Sequence, residues 1–268
     1  MNTSPRFMTG PFMTGLRITL RTMPEFGSPA AVAVQTLAAP AFTALFYLLL
    51  ADSGFGPGGS GPAFAALVGS SAVQAVTLVA STLSEDRYEG TLPYALAAAG
   101  AGIRSWAGRF TAMLIVAMLG GFASLAATAI VSGPDGMPLR LIPAAVVLIA
   151  VSATTSLGMG LCVAALSLAC TDALFLANLA GYLLPVGCGL VAPAGILPQP
   201  LRALAYTTPI AWMTDASRAV AVGQIPCALT CAGVGIVVGA VWFLVAIVIL
   251  HLCRAISRRH DTIAGIGL

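Results

Sequence analysis

Residues 84–92 read Ser-Glu-Asp-Arg-Tyr-Glu-Gly-Thr-Leu, and this run places four charged side chains between two long apolar segments. A charged side chain at the centre of a bilayer costs about 2.5–3.5 kcal/mol on insertion scales. We therefore expect the run to be a loop outside hydrocarbon, where a second protein can bind it.

The composition is typical of a membrane protein. The 268 residues are 59% hydrophobic and 8% charged, whereas soluble domains contain about 25% charged residues. All twelve basic residues are Arg, and the sequence has no Lys. A P-loop needs its Lys against the β- and γ-phosphates of ATP. The sequence therefore excludes an ATP site of that kind on this chain.

Six apolar segments are separated by clusters of Gly, Pro, Ser and Asp. Five are close to the roughly 20 residues that an α-helix needs to cross a bilayer, and the longer fourth segment implies a tilted helix or an unwound end. We predict an all-α polytopic membrane protein, with residues 1–268 as one transmembrane domain and Pro185 as a kink in the fifth span. The six predicted spans are 30–51, 62–83, 110–131, 141–169, 173–191 and 229–252.

The distribution of Arg predicts the orientation. With the N-terminus inside, nine Arg lie on the cytoplasmic side and three on the outer side. This excess agrees with the positive-inside rule. Both termini and the charged run at 84–92 are then predicted to face the cytoplasm.

Residues 1–29 precede the first predicted span. Apolar residues recur there at helical spacing, and two Arg lie four apart on another face; these residues are Phe12, Leu16, Leu20 and Met23, with Arg17 and Arg21. The pattern predicts an interfacial helix in the headgroup region. A cleaved signal peptide is the alternative, but the apolar run exceeds the usual 7–15 residues or so, and we predict a retained anchor.

Two stretches between spans also read as short helices. In the inner segment 84–104, Thr91 can cap a helix over 92–99 that has Pro in its first turn. In the outer segment 192–226, helices are predicted over 195–206 and 208–223. Thr208 can cap the second of these, ahead of Pro209, and Asp215 and Arg218 have the i, i+3 spacing of an ion pair.

Several polar residues fall inside the predicted spans. Gln74 and Asn178 are candidates for lining a translocation path, and the others are Gln35, Ser70, Ser71, Thr77, Thr154 and Thr155. Such groups more often make hydrogen bonds between helices. Cys227 and Cys231 are either free thiols or a local disulfide, and no His lies near enough to complete a zinc site.

Three features together resemble the ABC type-2 transporter permeases, the membrane subunits of ATP-driven exporters, and in particular their drug-resistance branch. Asp86-Arg87-Tyr88-Glu89-Gly90-Thr91-Leu92 resembles the family's acidic-Arg-x-x-Gly-Thr-Leu signature. Pro198-x-x-Leu201-x-x-Leu204, followed by Thr208-Pro209-Ile210-Ala211-Trp212 and Arg218, resembles the family's segment before the last span. The third feature is the six-span order with the N-terminus inside.

The resemblance implies a non-catalytic permease in a bacterial cell membrane that exports an amphipathic drug-like or antibiotic compound. The family couples to separate ATPase subunits, which hold ATP and Mg, and pairs with a second permease copy or homologue. By this resemblance the ATPase-coupling residues are Glu85, Asp86, Arg87, Glu89, Gly90, Thr91 and Leu92. In the family the short helices of the outer segment 192–226 re-enter the outer leaflet and close the exit, and by this resemblance the outer-gate residues are Pro198, Thr208, Pro209, Asp215 and Arg218. No cofactor and no nucleic acid is expected on this chain.

Other interpretations stay open at this point. The charged run is alternatively a solvated turn, and the outer helices are alternatively a flap without a gating role. The cargo is alternatively a lipid or a lipid-linked polysaccharide. An ion-coupled secondary transporter would need an embedded acid or inverted repeats, and the sequence shows neither.

Overall fold

The computed structural model describes residues 10–23, 26–52, 60–90, 103–167, 170, 172 and 174–260. Every regular element within these ranges is a helix. We number nine helices in chain order: α1 (Pro11–Thr22), α2 (29–52), α3 (Ser60–Tyr88), α4 (Ile103–Gly136), α5 (Ile142–Ser167), α6 (Phe175–Gly187), α7 (Gln199–Ala205), α8 (Pro209–Ala221) and α9 (Ile225–His260). Two 3₁₀ turns, Leu139–Leu141 and Ala194–Ile196, precede α5 and α7.

Five of these helices are long and apolar enough to cross a membrane: α2, α3, α4, α5 and α9. The chain is therefore described as a multi-pass α-helical membrane protein. The fifth predicted span, 173–191, corresponds to α6, which has only 13 residues. At 1.5 Å per residue that helix is about 20 Å long, short of a hydrocarbon core of about 30 Å. The count of six spans stays a prediction.

Ser-Pro and Thr-Pro pairs explain where two helices begin. The Ser28 hydroxyl accepts a hydrogen bond from the Ala31 amide at 3.1 Å as α2 starts. The Thr208 hydroxyl accepts one from the Ala211 amide at 3.4 Å as α8 starts. The Pro that follows each cap has the φ angle of a helix and lacks the N–H that the first turn leaves unpaired. The predicted cap at Thr208 is confirmed.

Helix α3 is the centre of the bundle. In the most apolar 18-residue stretch of α3, 89% of the residues are buried, whereas in that of α9 17% are buried. It packs against α2, α4, α5, α6 and α8. Small residues allow the close crossings, since a Cβ on Gly160 of α5 would lie 2.8 Å from the Val76 carbonyl oxygen of α3. Because α3 is surrounded by other helices, the side chains of α3 that border a groove are the ones available to form a site.

Helix α1 lies against the first part of α4 through a pair of glycines. A Cβ on Gly15 would overlap the carbonyl oxygen of Ser105, and a Cβ on Gly108 would overlap that of Phe12. The two backbones therefore touch, as small residues permit between helices in membranes.

The largest correction concerns the charged run. We predicted that the second span ends at residue 83 and that a loop follows, but α3 continues as a helix to Tyr88. The turn comes at Glu89 and Gly90, and Gly90 has a φ of 68°. Thr91, Leu92 and the predicted short helix at 92–99 lie outside the described residues.

Other boundaries differ less. Gly133 has a φ of 63° within α4, beside Pro134, so the predicted turn at the end of the third span does break the helix. The last helix starts four residues before its predicted start and runs to His260. The described cysteines are free, including Cys227 and Cys231.

Candidate functional site

A buried ion pair joins the ends of α3 and α4. Asp86 near the end of α3 accepts a hydrogen bond from the Arg109 guanidinium of α4. Each of these residues is only 8% exposed. The guanidinium also lies over the Trp106 ring, 5.1 Å from its centroid, an arrangement that favours the cation. The pair holds together the two helices that flank residues 91–102, and we call it the inner clamp.

Arg87 extends this contact to the end of α5. Its Nη1 donates hydrogen bonds to the carbonyl oxygens of Ser167, at 3.2 Å, and Cys170, at 2.9 Å. The last carbonyls of a helix have no partner within the helix, and the negative end of the helix dipole favours a cation there. The Tyr88 hydroxyl donates to Asp172 Oδ1 at 3.3 Å.

These contacts show what the predicted coupling residues do within the chain. Asp86 and Arg87 have partners on neighbouring helices, so they stabilise the bundle whether or not a second protein is present. Glu85 is partly buried, whereas Tyr88, Glu89 and Gly90 are exposed. The docking role of the run at 84–92 stays a prediction, and the exposed turn is the part that a partner can reach.

A second polar cluster lies at the elbow between α7 and α8. The Tyr206 hydroxyl donates to Asp215 Oδ2 at 2.7 Å, and Arg218 lies 3.6 Å from the same carboxylate. Arg218 also donates to the Gly189 carbonyl. Burial, together with the Asp215 carboxylate, raises the pKa of Tyr206 to about 12. Burial lowers the pKa of Arg218, and the charge of Asp215 opposes that shift.

Two indole groups fix the backbone of this elbow. Trp212 Nε1 donates to the Tyr206 carbonyl at 2.9 Å, and Trp242 Nε1 of α9 donates to the Thr207 carbonyl at 2.7 Å. Four of the predicted gate residues, Thr208, Pro209, Asp215 and Arg218, therefore belong to one connected elbow. Pro198 is apart from it, exposed at the start of α7.

A groove of about 460 Å³ opens at the side of the bundle, between α2 and α6 and over α3. It has the size of a small-molecule site. Its polar residues come from all three helices: Gln35, Thr43 and Tyr47 of α2, Ser70, Gln74, Thr77 and Ser81 of α3, and Asn178 and Tyr182 of α6. Gln74 lies at the midpoint of α3. The structure thus brings Gln74 and Asn178, the two predicted path residues, into one groove.

The α2 wall of the groove includes an unusual backbone. Residues Val32–Ala38 form a π-helix within α2, and Gln35 lies in that segment. π-Helical turns occur frequently at functional sites. Pro40 follows closely and has no N–H to donate, which weakens the regular α-helical ladder at this point.

Sequence reasoning missed four groove residues: Thr43, Tyr47, Ser81 and Tyr182. The signal was present, because Ser70, Gln74, Thr77 and Ser81 recur at i, i+4, i+7 and i+11, the spacing of one helix face. Thr154 and Thr155, which we grouped with Gln74, line a different groove of about 630 Å³ between α4, α5 and α9. That second groove is mostly apolar.

No group of three or more residues suited to a metal ion occurs among the described residues. Comparison of the chain with family models, with curated proteins and with solved structures finds no match.

Proposed function

We propose that this chain is the membrane-spanning permease subunit of an ATP-driven exporter of the ABC type-2 kind. It moves an amphipathic, drug-like compound out of the cytoplasm or the inner leaflet. The observation that carries the proposal is the polar groove over α3. Polar side chains at the middle of a membrane-length helix are costly in lipid and mark substrate pathways. The groove is open rather than enclosed, so an amphipathic cargo can enter it.

The energy source in this proposal lies on separate ATPase subunits, which hold ATP and Mg. The absence of Lys supports this division, because a P-loop requires one. The inner clamp supports the mechanical part, since a push on the segment between α3 and α4 is passed to both helices through Asp86 and Arg109. The exposed turn at Glu89 and Gly90 is where we place the ATPase contact.

The proposal includes the assembly and the orientation. Both termini face the cytoplasm of a bacterial cell, and α6 with its flanking residues is the fifth of six spans. A second permease copy, or a homologue, faces the groove. The outer faces of α2 and α6 support that arrangement, because Phe42 is 72% exposed and Tyr182 is 78% exposed on either side of the groove.

Two alternatives differ in testable ways. A lipid or lipid-linked polysaccharide would use the same groove and the same energy source, so only the transported compound distinguishes it. An ion-coupled transporter needs an acid or base along its path. The described residues that line the groove include none, which favours the ATP-driven proposal.

The test is reconstitution. The tagged chain is purified from its native membranes with its ATPase subunits, placed in proteoliposomes and assayed for ATP-dependent efflux of fluorescent amphiphiles. We expect efflux only when both kinds of subunit and ATP are present, and reduced coupling in Glu89→Arg. ATP hydrolysis by the isolated permease, or efflux driven by an ion gradient without ATP, would refute the proposal.

A further inference from the structure

The four serine and threonine hydroxyl groups of the groove have used their protons. Thr43 donates to the Ala39 carbonyl at 2.8 Å, and Ser70 donates to the Leu67 carbonyl at 2.9 Å. Thr77 and Ser81 likewise donate to carbonyls one turn earlier in α3, at 3.1 and 3.2 Å. A hydroxyl has one proton and two lone pairs. Each of these four oxygens therefore has only acceptor capacity left.

Gln74 adds a further acceptor. Its Oε1 is buried and has no hydrogen-bond partner among the described residues, and a buried acceptor without a partner is costly. The carboxamide packs against Gly120 of α4, where any side chain would overlap it, so it is held in place at the groove. Because the oxygen is buried against α4, a donor brought by a ligand reaches it when the carboxamide turns towards the groove.

The groove has no charge. The described residues that line it include no Asp, Glu, Arg, Lys or His. The nearest ionisable side chains on α3 are at its inner end, beginning at Glu85, and Asp86 is already paired with Arg109. A charged ligand here would lose its water without gaining a counter-charge, at a cost that usually exceeds that of burying a neutral polar group.

We propose that the groove binds an uncharged amphiphile whose polar part is rich in hydrogen-bond donors, as in a glycoside or another polyhydroxylated compound. This inference rests on the proposed function, because it names the cargo class of that same groove. The polar part donates to the hydroxyl oxygens and to Gln74 Oε1. The amide groups of Gln35 and Asn178 and the phenol hydroxyls of Tyr47 and Tyr182 provide donors for its remaining oxygens.

The experiment uses the full chain in lipid nanodiscs with three photoactivatable probes that share one decyl tail with a diazirine. Their headgroups are maltose, a methyl-capped oligo(ethylene glycol) and trimethylammonium. The first is neutral with many donors, the second is neutral without donors, and the third is a cation. Peptide mapping by mass spectrometry measures how much of each probe labels α2, α3 and α6. We expect the maltoside to label these helices at least about tenfold more than the other two.

The matched variants remove acceptors without changing volume. Thr43→Val with Thr77→Val replaces two groove hydroxyls by methyl groups, and we expect about a tenfold loss of maltoside labelling. Thr154→Val is the control, because its hydroxyl makes the same kind of bond, to the Ala150 carbonyl at 2.7 Å, but lies in the other groove. Thermal melts check that each variant is folded, and Gln74→Leu gives a second, independent removal of an acceptor.

Each outcome decides the inference. Equal labelling by the cationic probe, labelling by the methyl-capped probe as strong as by the maltoside, or unchanged labelling in both Thr43→Val/Thr77→Val and Gln74→Leu would overturn it. The assay needs no ATPase, so it is separate from the proposed function. Maltoside binding without ATP-driven efflux would overturn the proposed function alone, and ATP-driven efflux without headgroup selectivity would overturn this inference alone.

Discussion

Removing one partner of the inner clamp should destabilise the bundle more than removing both. Asp86→Leu leaves the Arg109 charge 8% exposed, with the Trp106 ring as its remaining recorded contact among the described residues. Breaking a buried pair in this way costs about 3–5 kcal/mol, and the ring offsets about 1 kcal/mol of that cost. We therefore expect a loss of about 3 kcal/mol in the free energy of unfolding.

The double variant is the stronger test of the same contact. Asp86→Leu with Arg109→Met replaces both charges by apolar side chains of similar length, a change that is often nearly neutral in proteins. We expect it to recover most of the stability that Asp86→Leu loses, with a coupling energy of about 2 kcal/mol between the two positions. Sodium dodecyl sulfate titration of the purified chain, followed by tryptophan fluorescence, measures all four corners of this cycle.

The control is Glu89→Leu, which removes an exposed acid from the turn that follows α3. Its effect should stay within about 0.5 kcal/mol. If the double variant is no more stable than Asp86→Leu, and the coupling energy is below about 0.5 kcal/mol, then the two charges do not stabilise each other and the clamp is not a structural unit.

Three further predictions concern other contacts. Arg87→Gln should cost about 1–3 kcal/mol and speed hydrogen exchange at the end of α5, because the Cys170 carbonyl loses its donor and the Ser167 carbonyl keeps only the Cys170 amide. Arg140→Gln, at an exposed position, should have little effect. Gly108→Ala should cost about 1–3 kcal/mol and increase protease cleavage in α1, since its methyl group would overlap the backbone of α1; Gly61→Ala, which has open space, should not. For Tyr206, a folded-state pKa raised to about 12 from its usual 10 means that its stabilising effect is complete below about pH 10 and is lost as the pH rises towards 12. Tyr206→Phe should lack that fall in a pH series of the same titration, and an equal fall in both proteins would contradict the assignment.

Local chemistry made the helix starts and the elbow predictable from the sequence. Thr208 and Pro209 are a cap and a first-turn proline in any context, and Asp215 and Arg218 are neighbours on any helix. The third partner was not predictable. Tyr206 lies just after the end of α7, outside α8, and the fold of the elbow brings its hydroxyl to Asp215.

The groove was half predictable for a similar reason. The spacing of Ser70, Gln74, Thr77 and Ser81 defines one face of α3, and a single sequence contains that information. It does not show which helices border this face. That Asn178 lies opposite Gln74 follows from the packing of both α2 and α6 on α3 without closing over it, which is a property of the whole bundle.

The charged run shows how one physical rule allows two structures. Charge is costly in hydrocarbon, so we expected the helix to end before Glu85. The chain instead continues the helix to Tyr88 and satisfies two of the charges within the protein, with Asp86 paired to Arg109 and Arg87 bonded to the carbonyls of Ser167, the last residue of α5, and of Cys170. The rule excludes unpaired charge from lipid, but paired charge at a helix end obeys it equally well. In this protein the pairing also joins neighbouring ends of three helices, which is the property that the proposed force transmission through the segment between α3 and α4 requires.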